Sequence, residues 1–299
     1  MKSITYRGRP LQGCVGLAVF CCCITFSATL ADLEEQAEEI SESNDSQFTV
    51  LNTVESIHAY REERRIQTKE GLSASSLSDQ HQDLIASAMS KMYLGVPISS
   101  YTHSEREESS DEEPSESSFE YFVSEDGRIR HESEQATISL NLTSASPFLF
   151  LPPLPFDAST GRVVEESDAE AVFVFDFAMP IDDEDDDEFA GLRDKMNWIA
   201  KVTVGKHDQS PRSLILMLEK PVRKRFMFKL KTLSMEFQYT QVESCNGFAV
   251  NRMTMEMDAS AIVVGKLYTF AESTFTDIEC EQPLRYLLPE QAETNFFQF

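Results

Sequence analysis

From Trp198 onward the chain alternates apolar and polar residues with a period of two. Trp198, Ala200, Val202 and Val204 share one parity, and Ile199, Lys201 and Thr203 the other. Leu214 to Leu218 is solidly apolar, and Leu233, Met235, Phe237 and Tyr239 alternate with Ser234, Glu236, Gln238 and Thr240. Such a period sets one face of a strand against a core and the other in water. Val222 to Lys231 reads as one more strand, with Phe226, Phe228 and Leu230 on one face and Arg223, Arg225, Lys229 and Lys231 on the other. Asn246-Gly247 marks a turn, Phe248 to Met257 and Ile262 to Phe270 form the last long hairpin, and Phe275 to Cys280 is expected to close the sheet. Short polar turns between successive strands imply antiparallel neighbours, because a parallel pair needs a long crossover.

Upstream, Phe119 to Val123 and the run from Ile129 flank Asp126-Gly127, a tight-turn signal. Thr137 to Leu142 is a short strand, and Val172 to Phe177 a buried one. Phe148 to Phe156 contains Pro152, Pro153 and Pro155, which cannot donate to a ladder, so an edge strand running into a corner is expected. Nearer the N-terminus, Phe48, Leu51, Val54 and Ile57 recur at helical spacing and lead into Tyr60 to Arg65, read as a charged edge strand. A second helix starts at a Ser78 cap, places Leu84, Ile85, Ala88, Met89 and Met92 on one face, and ends at Gly95 and Pro97. The Ser/Glu/Asp tract from Ser104 to Ser118 has little to bury and is expected to be a mobile loop. The fold class is therefore α+β and mainly antiparallel β: a curved meander sheet, a half-barrel, with one or two N-terminal helices packed on it. Residues 1–31 are a signal peptide, 32–118 a helical and acidic segment, partly disordered, and 119–299 the antiparallel domain.

The leader changes the compartment. Lys2, Arg7 and Arg9 precede an apolar run from Cys14 to Phe26, and Thr29-Leu30-Ala31 supplies the small residues of a cleavage site after Ala31. The expected destination is periplasmic or secreted. Four of the 6 cysteines leave with this leader, so Cys245 and Cys280 remain for one disulfide in an oxidising compartment. The chain carries 26 basic and 51 acidic side chains, a net charge of −25. Losing a leader with basic residues and no acid makes the rest more negative still, which argues against nucleic acid and leaves membrane contact peripheral at most.

Catalytic signatures are missing. The 5 histidines form no HExxH or HxH pair, and there is no GxSxG elbow, phosphate loop or dinucleotide fingerprint. Asp183, Asp185 and Asp187 imitate the start of a calcium loop, but Glu188 stands where the turn glycine belongs, so the acidic run reads as a solvated loop. No catalytic residue, metal ligand or cofactor is assigned, and a non-enzymatic role is expected. The cationic row Arg223, Arg225, Lys229 and Lys231 is a candidate contact for an anionic group, or a counter-charge for the protein's own acids.

Between Ala171 and Cys280 the order of features is familiar: Leu218-Glu219-Lys220-Pro221, a phenylalanine-rich strand, the Asn246-Gly247 turn, and a hairpin closing on Phe275-Thr276-Asp277. This resembles the outer-membrane lipoprotein-sorting and carrier proteins, the LolA/LolB-like half-barrels. The resemblance implies an apolar concave face that takes a lipid or acyl chain, with Trp198, Phe226, Phe228, Phe237 and Met255 as lining residues. A monomer is expected. Two other classes stay open. One is an envelope structural or protein-interaction module without a small ligand. The other is an outer-membrane β-barrel, suggested by the ending Asn295-Phe296-Phe297-Gln298-Phe299, although several strands fall short of the about 9–11 residues a membrane needs.

Overall fold

A computed structural model describes residues 48–92, 95–110, 113–125, 128–131, 137–139, 146–148, 156–177, 195–224, 228–262, 265–289 and 297–298. The leader with Ala31, the tail to residue 46, the prolines of 149–155, the acidic run 182–188 and the pair Arg225 and Phe226 lie outside the described residues.

The chain opens with β1 (Phe48–Leu51), α1 (Val54–Gly71) and α2 (Asp79–Met92). Then come β2 (Val96–Pro97), β3 (Ser99–Ser109), β4 (Ser115–Val123), β5 (Arg128–His131) and β6 (Thr137–Ser139). The meander proper comprises β7 (Phe156–Glu166), β8 (Glu170–Phe177), β9 (Trp198–Gly205) and β10 (Ser210–Leu218). It continues through β11 (Val222–Lys224), β12 (Phe228–Val242), β13 (Gly247–Ala261) and β14 (Gly265–Cys280), before β15 (Tyr286–Pro289) and β16 (Phe297–Gln298).

The sheet is antiparallel except at one edge, where β16 lies parallel to β7. From there the order runs β7, β8, β9, β10, β12, β13, β14, and then returns to the early strands β3, β4, β5 and β6. The sheet is curved and unclosed, an α+β half-barrel. A small second sheet, β1-β15-β2, ties the two ends of the chain together.

α2 supplies the inner layer. The Ser78 hydroxyl accepts from the His81 N–H (3.3 Å), capping the helix, and Leu84, Ile85, Ala88, Met89 and Met92 are buried together. They pack on β9, β10 and β13 and join Tyr101, Phe173, Phe175, Trp198, Leu214, Phe237 and Phe275 in one core. Each large side chain so buried stabilises the fold by roughly 1.5–3 kcal/mol. Gly95 follows the helix at φ +88, where a side chain would be strained and would strike Leu288 and the Leu287 carbonyl. No helix among the described residues is long and apolar enough to cross a membrane.

Four local readings need correction. Tyr60 to Arg65 is the middle of α1 and the strand precedes it, because Thr53 and Ser56 form a capping box and Arg65 pairs with Glu62 one turn away (2.7 Å). Ser104 to Ser109 and Ser115 to Ser118 are strand and not loop: they belong to β3 and β4, which pair with each other, and β14 supplies a long hydrogen-bonding edge for β3. Phe275 to Cys280 does not close the sheet but is the end of β14, with Cys280 opposite Ser99 of β3. Val222 to Lys231 folds back on itself, so that Arg223 faces Lys229 across β11 and β12 instead of preceding it along one strand.

Candidate functional site

The inner face of the sheet is buried at both ends and partly open between them. On β12, Leu230 and Phe237 are buried, while Leu233 and Met235 between them are partly exposed. On β13, Val250, Met257 and Ala259 are buried, while Met253 and Met255 are partly exposed. Register brings these together. Met235 lies opposite Met255, which lies opposite Ala271 of β14, which lies opposite Glu107 of β3. The neighbouring row is Phe237, Met253, Ser273 and Glu105. Strands are spaced by about 4.8 Å. Across this stretch of the inner face, called the trough below, methionines of β12 and β13 lie on one side, the small Ala271 and Ser273 of β14 between, and Glu105 and Glu107 of β3 on the other.

One end of the trough is closed by aromatic rings. His103 is buried and stacks on Phe275 (ring centroids 4.6 Å apart), and Tyr101 stacks on Tyr121. Burial lowers the His103 pKa to about 4, so the ring is neutral at pH 7. Its Nε2 lies 3.5 Å from Glu105 Oε1 yet makes no hydrogen bond. The Glu105 carboxyl is raised, first by desolvation and then by the charge of Glu107.

The sequence-derived lining residues divide. Trp198 and Phe237 belong to the closed core, Trp198 packing against Phe177 at 5.9 Å, whereas Phe228 and Met255 keep partial exposure on the inner side. Phe226 lies outside the described residues. The acidic wall was missed because Glu105 and Glu107 sit in the tract read as a loop. The available signal was the alternation Tyr101, His103 on one side of the tract and Phe119, Tyr121, Val123 on the other.

Arg223, Lys229 and Lys231 occupy the outer face, and Arg225 lies outside the described residues. Lys231 is committed to Asp258, with Nζ at 2.7 and 2.9 Å from its two carboxylate oxygens. Arg223 and Lys229 stand opposite each other without an acidic partner among the described residues. Like charges directly opposite oppose pairing by a few tenths of a kcal/mol. Arg223→Ser should therefore raise the unfolding free energy by about 0.3 kcal/mol in urea titrations; a loss of similar size would mean the arginine neutralises an acid of the protein itself.

At the opposite end of β13 the sheet splits. Pairing between β13 and β14 begins only at Arg252 and Thr274, and the Val250 N–H turns instead to the Pro147 carbonyl (2.8 Å). An open cleft of about 450 Å³ lies there, lined by Thr240 to Ser244 and Phe275 to Cys280. Cys245 and Cys280 form a disulfide at its base, with Cα atoms 5.0 Å apart. Among the described residues no three His, Cys, Asp or Glu side chains converge as a metal site.

No family model matches the chain, and no curated protein sequence matches it. Among solved structures, a LolA superfamily protein from Nitrosomonas europaea is similar at 11% identity with a TM-score of 0.35, over 67% of this chain and 93% of that one. The ywiB protein from Bacillus subtilis is similar at 8% identity with a TM-score of 0.11, over 60% of this chain and 93% of that one. The first is a weak LolA-like resemblance.

Proposed function

We propose that the protein is an exported, non-enzymatic carrier that holds an acyl chain or comparable apolar ligand in the trough on the inner face of its sheet. One observation carries this reading: Leu233, Met235, Met253 and Met255 stay partly exposed, side by side, on a face whose two ends are buried. Water-facing methionines in a concavity lose apolar contact that a chain would restore, at roughly 0.8 kcal/mol per buried methylene. Methionine also repacks readily around different chains. Phe228 and Met255 would touch the ligand, while Trp198 and Phe237 would hold the wall from the core side. Export agrees with the Cys245–Cys280 bridge, since disulfides persist in oxidising compartments. On the outer face, Arg223 and Lys229 would be open to an anionic group, whereas Lys231 is held by Asp258.

Calorimetric titration with 1-decanol tests the reading directly, alongside mass spectrometry of lipid that co-purifies from the native envelope. Met255→Glu is expected to weaken decanol binding at least about tenfold, because a carboxylate would be desolvated beneath the chain. The variant's circular dichroism should match that of the wild type. A protein that is acyl-free on purification and gives no heat with decanol overturns the proposal.

A further inference from the structure

An ordinary acyl site needs no acidic wall, yet this trough has one. On the outer face of the same strands three carboxylates are answered by bases, Glu108 by Arg106, Glu272 by Arg252 and Asp258 by Lys231, while Glu120 and Glu256 stand exposed to water. On the inner face, Glu105 and Glu107 have no arginine or lysine partner among the described residues. His103 Nε2 stands 3.5 Å from Glu105, but burial keeps the ring uncharged at pH 7, so it does not neutralise that carboxylate. We propose that the trough is shaped for an amphiphile with a cationic head group, its chain against Met235, Met253 and Met255 and its amine or ammonium between Glu105 and Glu107. This rests on the carrier reading above and names the ligand class of that same site.

Geometry supports the assignment independently of charge. Ala271 and Ser273 separate the methionines from the carboxylates, so the two rows stand roughly 10 Å apart, two strand spacings, with only small side chains between them. A chain can lie on one wall and its head reach the other. The His103 ring is 3% exposed, and its Nε2 has no hydrogen-bond partner while standing 3.5 Å from Glu105. A buried, unpaired polar atom beside the acidic wall is a cost that a ligand's N–H group or a water held by it would relieve. Phe119, opposite His103 and 47% exposed, adds an aromatic face at the rim of the kind that attracts ammonium groups.

Three probes with one chain length separate the possibilities: decyltrimethylammonium, 1-decanol and decanoate, each titrated calorimetrically below its micelle concentration. The expected order is cation, then alcohol, then anion, with the cation about tenfold tighter than the alcohol. The double variant Glu105→Gln, Glu107→Gln should bring the cation to the affinity of the alcohol and leave decanol within about twofold. A control pair on the outer face, Glu120→Gln with Glu256→Gln, removes equal charge from exposed positions and should leave the cation's preference intact. If the wild type holds the cation no tighter than decanol, or the preference survives the inner pair, the cationic head is wrong while the carrier reading stands. If no probe binds, the carrier reading itself fails and this inference with it.

Discussion

Replacing Cys245 and Cys280 together by alanine is expected to lower the unfolding free energy by about 4 kcal/mol, the chain-entropy value for a loop of this length. The bridged residues are 35 apart in sequence, and the bridge spans the place where the sheet divides. Beyond Arg252 and Thr274, β13 pairs only with β12 and β14 only with β3, so no ladder hydrogen bonds hold the two halves together there. Apart from the core packing of Ala249, Val250 and Phe275, the contacts at this corner are polar. The Cys280 N–H donates to the Ser244 hydroxyl (3.3 Å), Gln282 donates to the Ser244 carbonyl (2.8 Å), Arg61 donates to the Asn246 carbonyl (2.7 Å), and the Tyr286 hydroxyl donates to the Cys245 carbonyl. Net gains from such bonds are about 1 kcal/mol each, so they do not replace the bridge. Urea unfolding of the alanine pair, compared with the wild type with and without dithiothreitol, measures the effect. The reduced wild type should match the variant, and a loss below about 1 kcal/mol in both would mean that the bridge constrains little of the unfolded chain.

The meander from β8 to β14 was legible because its determinants are local. Trp198, Ala200, Val202 and Val204 are all buried, as their parity requires, and the turn at Asn246 takes the left-handed conformation (φ +46) that asparagine tolerates. The Ser78 cap and the apolar face of α2 were equally local. What failed was set by partners far away in sequence. Beyond Thr102, β3 contains no residue of high strand propensity, and Ser104 to Ser109 is a strand because β14 offers it a ladder more than 150 residues downstream. β1 likewise exists against β15, near the other end of the chain. The hairpin of β11 and β12 failed differently. Its two arms have the same alternation as one continuous strand, so period alone does not reveal the reversal.

The same distinction governs the site. Aromatic residues in a strand signal burial, and in Trp198 and Phe237 burial is what they deliver. Openness depends on what covers a face, and α2 packs on β9, β10 and β13 but not on β3 or β14 to any comparable extent. The exposed methionines and the acidic wall thus follow from helix placement and from β3 joining β14; the first leaves no mark in the residues themselves, and the second only the short alternation of Tyr101 and His103. A residue list drawn from aromatic content finds the support of such a site sooner than its surface.

Acid should destabilise this fold through one buried ring. His103 has a folded pKa lowered from 6.5 to about 4 by burial. Between those values the unfolded chain binds a proton that the folded chain does not, so the contribution is fully present above about pH 6.5 and is lost as pH falls toward 4. A difference of about 2.5 units corresponds to about 3 kcal/mol over that window. Glu105, whose folded pKa is raised, works in the opposite sense, because its protonation favours the folded state as pH falls. Tyr101 and Tyr121, which also face the ring, are raised by burial and do not titrate below neutrality. His103→Phe keeps a ring against Phe275 and removes the titrating nitrogen. The difference in unfolding free energy between wild type and variant, taken by urea titration at pH 7.5, 6, 5 and 4, cancels the remaining carboxylates to first order. That difference should move by about 3 kcal/mol in favour of the variant as pH falls, whatever offset the larger ring introduces at pH 7.5. Parallel curves would show that the imidazole is protonated in the folded protein, paired with the carboxylate of Glu105 only 3.5 Å away.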